Sequence, residues 1–517
     1  MTSEPALTEI SPQTTAPSTA GMTTKVVKGS LWTLGGSVLP MAVSFVSTPF
    51  IIRFLGSEKY GVLLLVGLIP TYFSFADFGM GVASTKFAAQ AYGEGDRQEE
   101  NQVVWTATAI AGVAALIIGV PIFLFSSWIV AEFNVPEQLL PQASVALKIA
   151  SVSFFLGILA SVLNSPMLAR LRMDLNTITS AVPKVLLAAV TPFILFFGGD
   201  IVAAVGWAFI VGIATFAVVF YFSGRLLPEL FKPVFNRELL RPLLKFGGAV
   251  AVSGIAAVLL VNLEKLVLTR VTSVRTLAYY SVASTLAGAA IMFGTAMHQS
   301  LVPAFSQLLE PAKRGELEAL FSRTIRVNVI GMAPLIASLF VVSGPFFMFW
   351  AGPEFGQAST TPFRIMIVSI LFSLWAYVPV TVMIASGRMD VVAKVYWLEL
   401  VPYIALVALL TAQFGAVGAA LGWSIRVLVD TAVMIIIGRK ISGLSTLVFR
   451  KQHLQAAACL LVLALPSAIA AASDQLVNWS LAVLPVALIV YSLVAWKTLL
   501  HDDERGWIKL KLNALRA

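Results

Sequence analysis

The residues of this chain with the most chemical potential lie inside apolar runs. Between Leu55 and Asp96, the positions Thr71, Ser74, Asp77, Gly81, Ser84 and Ala88 recur at spacings of three and four. Those spacings put all six on one helical face. The remainder of the run is Leu, Val, Ile, Phe and Met. A membrane-crossing helix with one small, polar face turns it toward protein or water and gives its apolar side to lipid. The Gly, Ala and Ser positions equally suit close helix packing with no ligand involved. Asp77 is harder to account for that way, because a carboxylate at membrane depth costs about 2.5 kcal/mol or more. Three further apolar runs carry a polar face: Thr33, Ser37, Pro40, Ser44 and Ser47; Asn262, Lys265 and Thr269; and Ser281, Ser284, Gly288, Thr295 and His298. Glu264 points roughly 100° away from its neighbours on the Asn262 stripe, one residue's turn of a helix.

Charged groups this deep suit ion binding, proton transfer or pairing with one another. Asp77, Glu264, His298 and Glu399 are candidates for coupling or gating, His298 being the one histidine inside an apolar run. Arg426 and Asp430 are four apart and fit an intrahelical pair. Glu399 and Lys184 sit in separate runs and could bridge to either of them, while Lys265 could pair with Asp77. Arg53 and Arg270 suit snorkelling to an outer interface, and Lys86 anchoring at an inner one. Gly418 and Gly422 read as a close helix crossing.

Enzymatic signatures are missing from the sequence. It contains no GxxxxGK[ST] phosphate loop, three histidines (His298, His453 and His501) and a single cysteine, Cys459. Neither a zinc site nor a disulfide framework follows from that set. The longest loop assigned to the outside, about 127–142, carries only Glu132 and Glu137 as acidic groups, too little for glycosyl transfer. Asp502, Asp503 and Glu504 read as a solvated tail.

The elements that must position these groups are membrane spans. Of 517 residues, 58% are hydrophobic and 12% charged, where soluble domains run near 25% charged. Mean hydropathy is +0.89. The net charge of +9 is dispersed between apolar runs, as topology demands, and is no signal for nucleic acid. The expectation is an all-α polytopic membrane protein of about fourteen transmembrane helices: two pseudo-symmetric six-helix lobes plus two C-terminal helices. Residues 1–24 are expected to form a Ser/Thr/Pro-rich, disordered cytoplasmic tail. The first lobe takes 25–223, a basic connector 224–243, and the second lobe 244–438. A second connector takes 439–452, the last two spans 453–499, and a cytoplasmic tail 500–517. Most Lys and Arg then fall inside, leaving Arg53, Lys59, Lys148, Arg270, Arg275 and Arg364 outside and Lys184, Lys265 and Arg426 mid-span. That asymmetry places both termini in the cytoplasm. Arg53 and Lys59 recur as Arg270 and Arg275 at matching places in the second block, as repeats related by an axis along the membrane normal would have it.

Several short motifs carry a family resemblance. Leu55-Gly56, Lys59-Tyr60-Gly61, Phe75-Ala76-Asp77-Phe78-Gly79-Met80-Gly81 and Gly93-Glu94-Gly95-Asp96 resemble the polysaccharide-transporter family of lipid-linked oligosaccharide (O-antigen) flippases. That family belongs to the multidrug/oligosaccharidyl-lipid/polysaccharide superfamily. Ala385-Ser386-Gly387-Arg388-Met389-Asp390, Glu399-Leu400-Val401-Pro402 and the segment from Gly415 to Trp423 with Arg426 are similar to its late spans. The resemblance covers roughly a fifth of the chain. It implies a non-enzymatic flippase of the cytoplasmic (inner) membrane, working without a cofactor by alternating access. Its substrate would be an undecaprenyl- or other polyprenyl-pyrophosphate-linked sugar, with membrane lipids and H+ or Na+ as further partners. It also implies a central cavity where Lys265, Arg53, Lys86 and Arg270 meet pyrophosphate, with Asn262, Ser74 and Ser284 lining it. The rival from the same superfamily is an ion-coupled drug or metabolite antiporter, whose cavity would be dominated by carboxylates and aromatics.

Overall fold

The computed structural model describes residues 19–443, 451–472, 477–500, 504–506 and 510. The tail 1–18, Asp502 and Asp503, and the side chain of His298 lie outside the described residues. Among the described residues every regular element is helical. In chain order these are α1 (Thr19–Tyr72), α2 (Met80–Glu94), α3 (Arg97–Leu124), α4 (Ser126–Ala131), α5 (Leu140–Leu163), α6 (Ser165–Ala169), α7 (Met173–Phe196) and α8 (Ile201–Leu226). There follow α9 (Leu240–Val271), α10 (Val274–Ser306), α11 (Arg314–Trp350), α12 (Pro353–Ala385), α13 (Met389–Ser442), α14 (Lys451–Ala472) and α15 (Val477–Thr498). Ten described stretches are long and apolar enough to cross a membrane, so this is a multi-pass membrane protein. Two of these stretches contain an internal break, Gly56 (φ 76°) within α1 and Gly415 (φ 56°) within α13, so each holds two arms.

The second break is a reversal held by glycine. A Cβ on Gly418 would lie 1.9 Å from the Leu410 carbonyl oxygen, and one on Gly422 2.9 Å from Val407 Cγ2. The arm after Gly415 therefore folds back on the arm before it, and only glycine lets the backbones come that close. The helices pack as two bundles. α1, α2, α3, α5, α7 and α8 pack on one another, and so do α9 to α13; α14 and α15 pair and lie on α11. The bundles join where α1 meets α10 and where α2 meets α9.

The polar stripe after Leu55 does not run along one helix. α1 ends at Tyr72, a 3-10 turn covers Ser74–Asp77, and Phe78 (φ 50°) and Gly79 (φ 69°) are left-handed before α2 begins. A continuous face was expected; the break has a local cause. Gly79 permits the positive φ, and its missing Cβ lets α9 approach, since a Cβ there would sit 2.3 Å from the Gly247 carbonyl oxygen. Asp77 caps the new helix: its carboxylate accepts from the amides of Gly79 at 2.8 Å and Gly81 at 3.2 Å. Lower in α2, Ser84 Oγ meets Ser165 Oγ at 2.8 Å in a buried contact.

Buried carboxylates take arginine partners within each bundle. Glu100, fully buried, takes Arg170 through both guanidinium nitrogens, one of them at 2.9 Å. Arg170 also lies 4.4 Å from the Tyr92 ring centroid. Glu504 is not solvated as expected of the tail: it is 8% exposed and sits 2.9 Å from both Arg323 and Arg326 of α11.

Candidate functional site

Each bundle holds a chamber, and the two differ in chemistry. The chamber of the first bundle, about 750 Å3, lies between the two arms of α1 and helices α5, α7 and α8. Seven hydroxyl-bearing residues line it: Ser44, Ser47, Thr48, Thr71, Ser74, Ser153 and Thr191. Four of them already donate to their own helices, Thr48 to Ser44 O, Thr71 to Gly67 O, Ser153 to Ile149 O and Thr191 to Leu187 O. Their oxygens are left as acceptors facing the chamber. Among the described lining residues the single charged one is Lys184. It lies 11 residues from Met173 and 12 from Phe196 on α7, roughly 16–18 Å from either end. That is about half the hydrocarbon thickness, too far from either end for easy snorkelling, so its charge calls for the hydroxyl-lined chamber it faces.

The chamber of the second bundle, about 330 Å3, is lined by Glu264, Lys265, Tyr280, Ser284, Tyr377, Tyr396, Trp423, Arg426 and Asp430 among others. Glu264 is 2% exposed and accepts from Tyr403 Oη at 2.9 Å. Lys265 Nζ donates to Asn262 Oδ1 at 3.1 Å. Arg426 is 3.9 Å from Glu399 and 5.4 Å from the Tyr403 ring centroid. Both Glu399 oxygens, Asp430 Oδ1 and Arg426 Nε are buried without a hydrogen-bond partner. Glu264, Glu399 and Asp430 face two cations, Lys265 and Arg426, so the cluster carries one more acid than base.

Between the bundles lies a third, apolar chamber of about 420 Å3, walled by α1, α10 and α11. At the end that carries the Gly56 turn the bundles are clasped. Arg275 lies 2.8 Å from Glu58 and 3.9 Å from Glu354; Ser57 Oγ donates to Glu354 at 3.1 Å. Arg270 pairs with the Glu132 carboxylate, and donates to the Glu132 carbonyl at 2.8 Å. Trp350 Nε1 donates to the Phe45 carbonyl at 3.1 Å.

The sequence candidates thus scatter over several environments. Ser74 lines the first chamber; Lys265, Glu264 and Ser284 line the second, with Asn262 and Glu399 bonded or paired to its residues. Arg270 belongs to the clasp at the Gly56 end. Lys86 is exposed, 4.1 Å from the Phe246 ring centroid and 5.1 Å from that of Phe87, at the contact of α2 with α9. Arg53 is exposed on α1 and lines none of the three chambers. Asp77 bonds amides of its own segment, and Lys265 bonds Asn262, so the Asp77–Lys265 pair is not formed. Arg426 turns to Glu399 on the other arm of α13 as its ion-pair partner. Lys184 lines the first chamber while Glu399 pairs with Arg426 beside the second, so the two do not meet. Sequence reasoning passed over Lys184 as a lining residue. Its signal was available: a lysine at the middle of a 24-residue span has no interface to reach.

The comparisons with known proteins bear on this architecture. Residues 26–309 match the family model described as "Polysaccharide biosynthesis protein", more than half of the chain. The chain belongs to this family. A Shigella flexneri protein named "Putative O-antigen transporter" is 21% identical over 413 residues, covering 79% of this chain and 96% of that protein. The Bacillus subtilis "Uncharacterized membrane protein EpsK" is 24% identical over 387 residues, 69% and 74% of the two chains. Among solved structures, the lipid II flippase MurJ in an inward closed conformation superposes with a TM-score of 0.70 at 13% identity, over 91% of this chain and 99% of that one. An inward-facing multidrug resistance MATE family transporter gives 0.65 at 14% identity, over 79% and 98%. At these identities the structural matches speak for the fold. Together with the family they identify a membrane transporter of polysaccharide biosynthesis, in the polysaccharide-transporter branch of its superfamily.

Proposed function

We propose that this protein flips a polyprenyl-pyrophosphate-linked oligosaccharide, with undecaprenyl as the expected carrier, from the inner to the outer leaflet of the cytoplasmic membrane. Both termini are in the cytoplasm, and the two bundles act as the lobes of an alternating-access cycle. The observation that carries the reading is the first chamber: seven hydroxyl residues, no carboxylate among the described lining, and mid-membrane Lys184. Hydroxyl oxygens facing inward accept hydrogen bonds from sugars. The lysine attracts an anionic substrate and opposes a cationic drug.

The second chamber is the proposed coupling site. Its extra acid and orphaned carboxylate oxygens suit a proton or sodium ion held at Glu399 and Asp430, with Glu264 and Lys265 fixing the local charge. Lys265 is then an electrostatic partner inside the coupling chamber. A second reading, ion-coupled efflux of cationic compounds, is favoured by one observation: this same chamber combines Glu264 and Asp430 with Tyr280, Tyr377, Tyr396 and Trp423, and Glu399 stands behind it paired to Arg426. Expression in a flippase-deficient strain separates the two. Restored surface polysaccharide, lost with Lys184→Met and kept in part with Lys184→Arg, supports the flippase. Resistance to cationic dyes without restored polysaccharide supports the antiporter.

A further inference from the structure

The apolar chamber between the bundles has a position that the first chamber makes meaningful. Its walls are Met41 and Phe45 of α1, Leu286 and Ala290 of α10, and Leu335 and Leu339 of α11, with others. Ser44 and Thr48 of α1 line both this chamber and the hydroxyl-lined one. Thr285 lines both this chamber and that of the second bundle. The first arm of α1 is therefore a partition, polar toward one side and apolar toward the other. At about 420 Å3 the apolar chamber is within the range of roughly 300–1,000 Å3 typical of ligand pockets. The Phe45, Phe346 and Trp350 rings close its outer end, with centroids 5.3–5.9 Å apart, and the Trp350–Phe45 hydrogen bond pins them.

We propose that this chamber seats the first isoprenoid units of the lipid carrier while its polar head occupies the hydroxyl-lined chamber past Ser44 and Thr48. The inference rests on the flippase reading and goes beyond it by assigning a tail site within the bundle seam. The reason is connectivity. A head drawn into the first chamber pulls its attached hydrocarbon out of the bilayer. Lipid and an apolar pocket are equivalent surroundings for that hydrocarbon, but a wet polar chamber is not. Each CH2 left in water instead of an apolar site weakens binding about fourfold. A polar chamber and an apolar one sharing a wall spare an amphiphile that loss.

A polyprenyl pyrophosphate carrying a diazirine on its first isoprene unit, added to the full chain in proteoliposomes, tests the seat. Peptide mapping is expected to place the adduct on Leu286, Leu335 or Leu339. Ala290→Phe, which fills the chamber, is expected to remove that adduct and weaken binding about tenfold or more. Leu286→Trp serves the same purpose if the first variant fails to accumulate, and the wild-type adduct map decides in either case. Adducts confined to α14 and α15 would overturn the proposal. So would equal seam labelling by a phospholipid with the diazirine in its acyl chain, which would make the chamber a general acyl site. The adduct is read without transport: labelling of the seam with no flipping leaves the seat standing and removes the flippase reading. Flipping with labels elsewhere does the reverse.

Discussion

On the proposed topology the clasp at the Gly56 end faces outward and must open for substrate to leave, and its strength can be worked out from its exposure. Arg270 and Glu132 side chains are 59% and 36% exposed, Arg275 and Glu58 50% and 45%. Pairs this exposed are screened and contribute about 0.2–1 kcal/mol each. Neutralising Glu58 and Glu132 together, as Gln, then removes about 0.4–2 kcal/mol from the outward-closed state. The ratio of outward-open to outward-closed molecules is expected to rise about 2- to 30-fold. Spin labels on cysteines at Lys59 and Gln357, both exposed at the outer end, report the distance across the clasp. The double variant is expected to add population at longer distance. Raising salt to about 1 M should move the unmodified clasp the same way, since the screening length falls to about 3 Å. A distance distribution insensitive to both perturbations would refute the reasoning and leave the aromatic contact at Trp350 as what holds that side shut.

Other consequences follow from packing and topology. Arg170→Ala leaves Glu100 buried and unpaired, so it should destabilise the protein by about 3–5 kcal/mol; thermal unfolding in detergent checks this, and Glu100→Leu with Arg170→Met should recover most of it. Gly418→Ala forces a Cβ against Leu410 O and should cost at least about 1–3 kcal/mol, visible as lost membrane accumulation, while Gly35→Ala, which meets nothing within 4 Å, should be silent. Reporter fusions after residues 96, 174, 235, 315 and 389 should report cytoplasm, and those after 57, 135, 199, 273 and 354 the exterior; adjacent reversals would break the topology.

How much of this could be read from the sequence depends on the length scale of the interaction. Apolar runs and the charges between them reflect the bilayer directly, so the all-helical membrane fold was legible. The stripe through Thr71 and Ala88 was misread as one face because its break depends on Gly79 meeting Gly247, far apart in the chain. For Arg426 the sequence left both Asp430 at i, i+4 and Glu399 open; Gly415 reverses α13 and brings Glu399 to 3.9 Å. Arg270 reads equally as an interface anchor or a cavity cation until Glu132 is seen across from it. Lys184 shows the converse: its depth was readable, but the chamber that makes the depth useful is built by four helices.

The most direct measurement is movement of a labelled polyprenyl-pyrophosphate oligosaccharide across proteoliposomes holding the purified chain, with no ATP present. The account predicts protein-dependent flipping, reduced by Lys184→Met and responsive to a proton or sodium gradient, without uptake of cationic dyes. Dye exchange driven by an ion gradient, with the glycolipid left on the leaflet where it began, would contradict it.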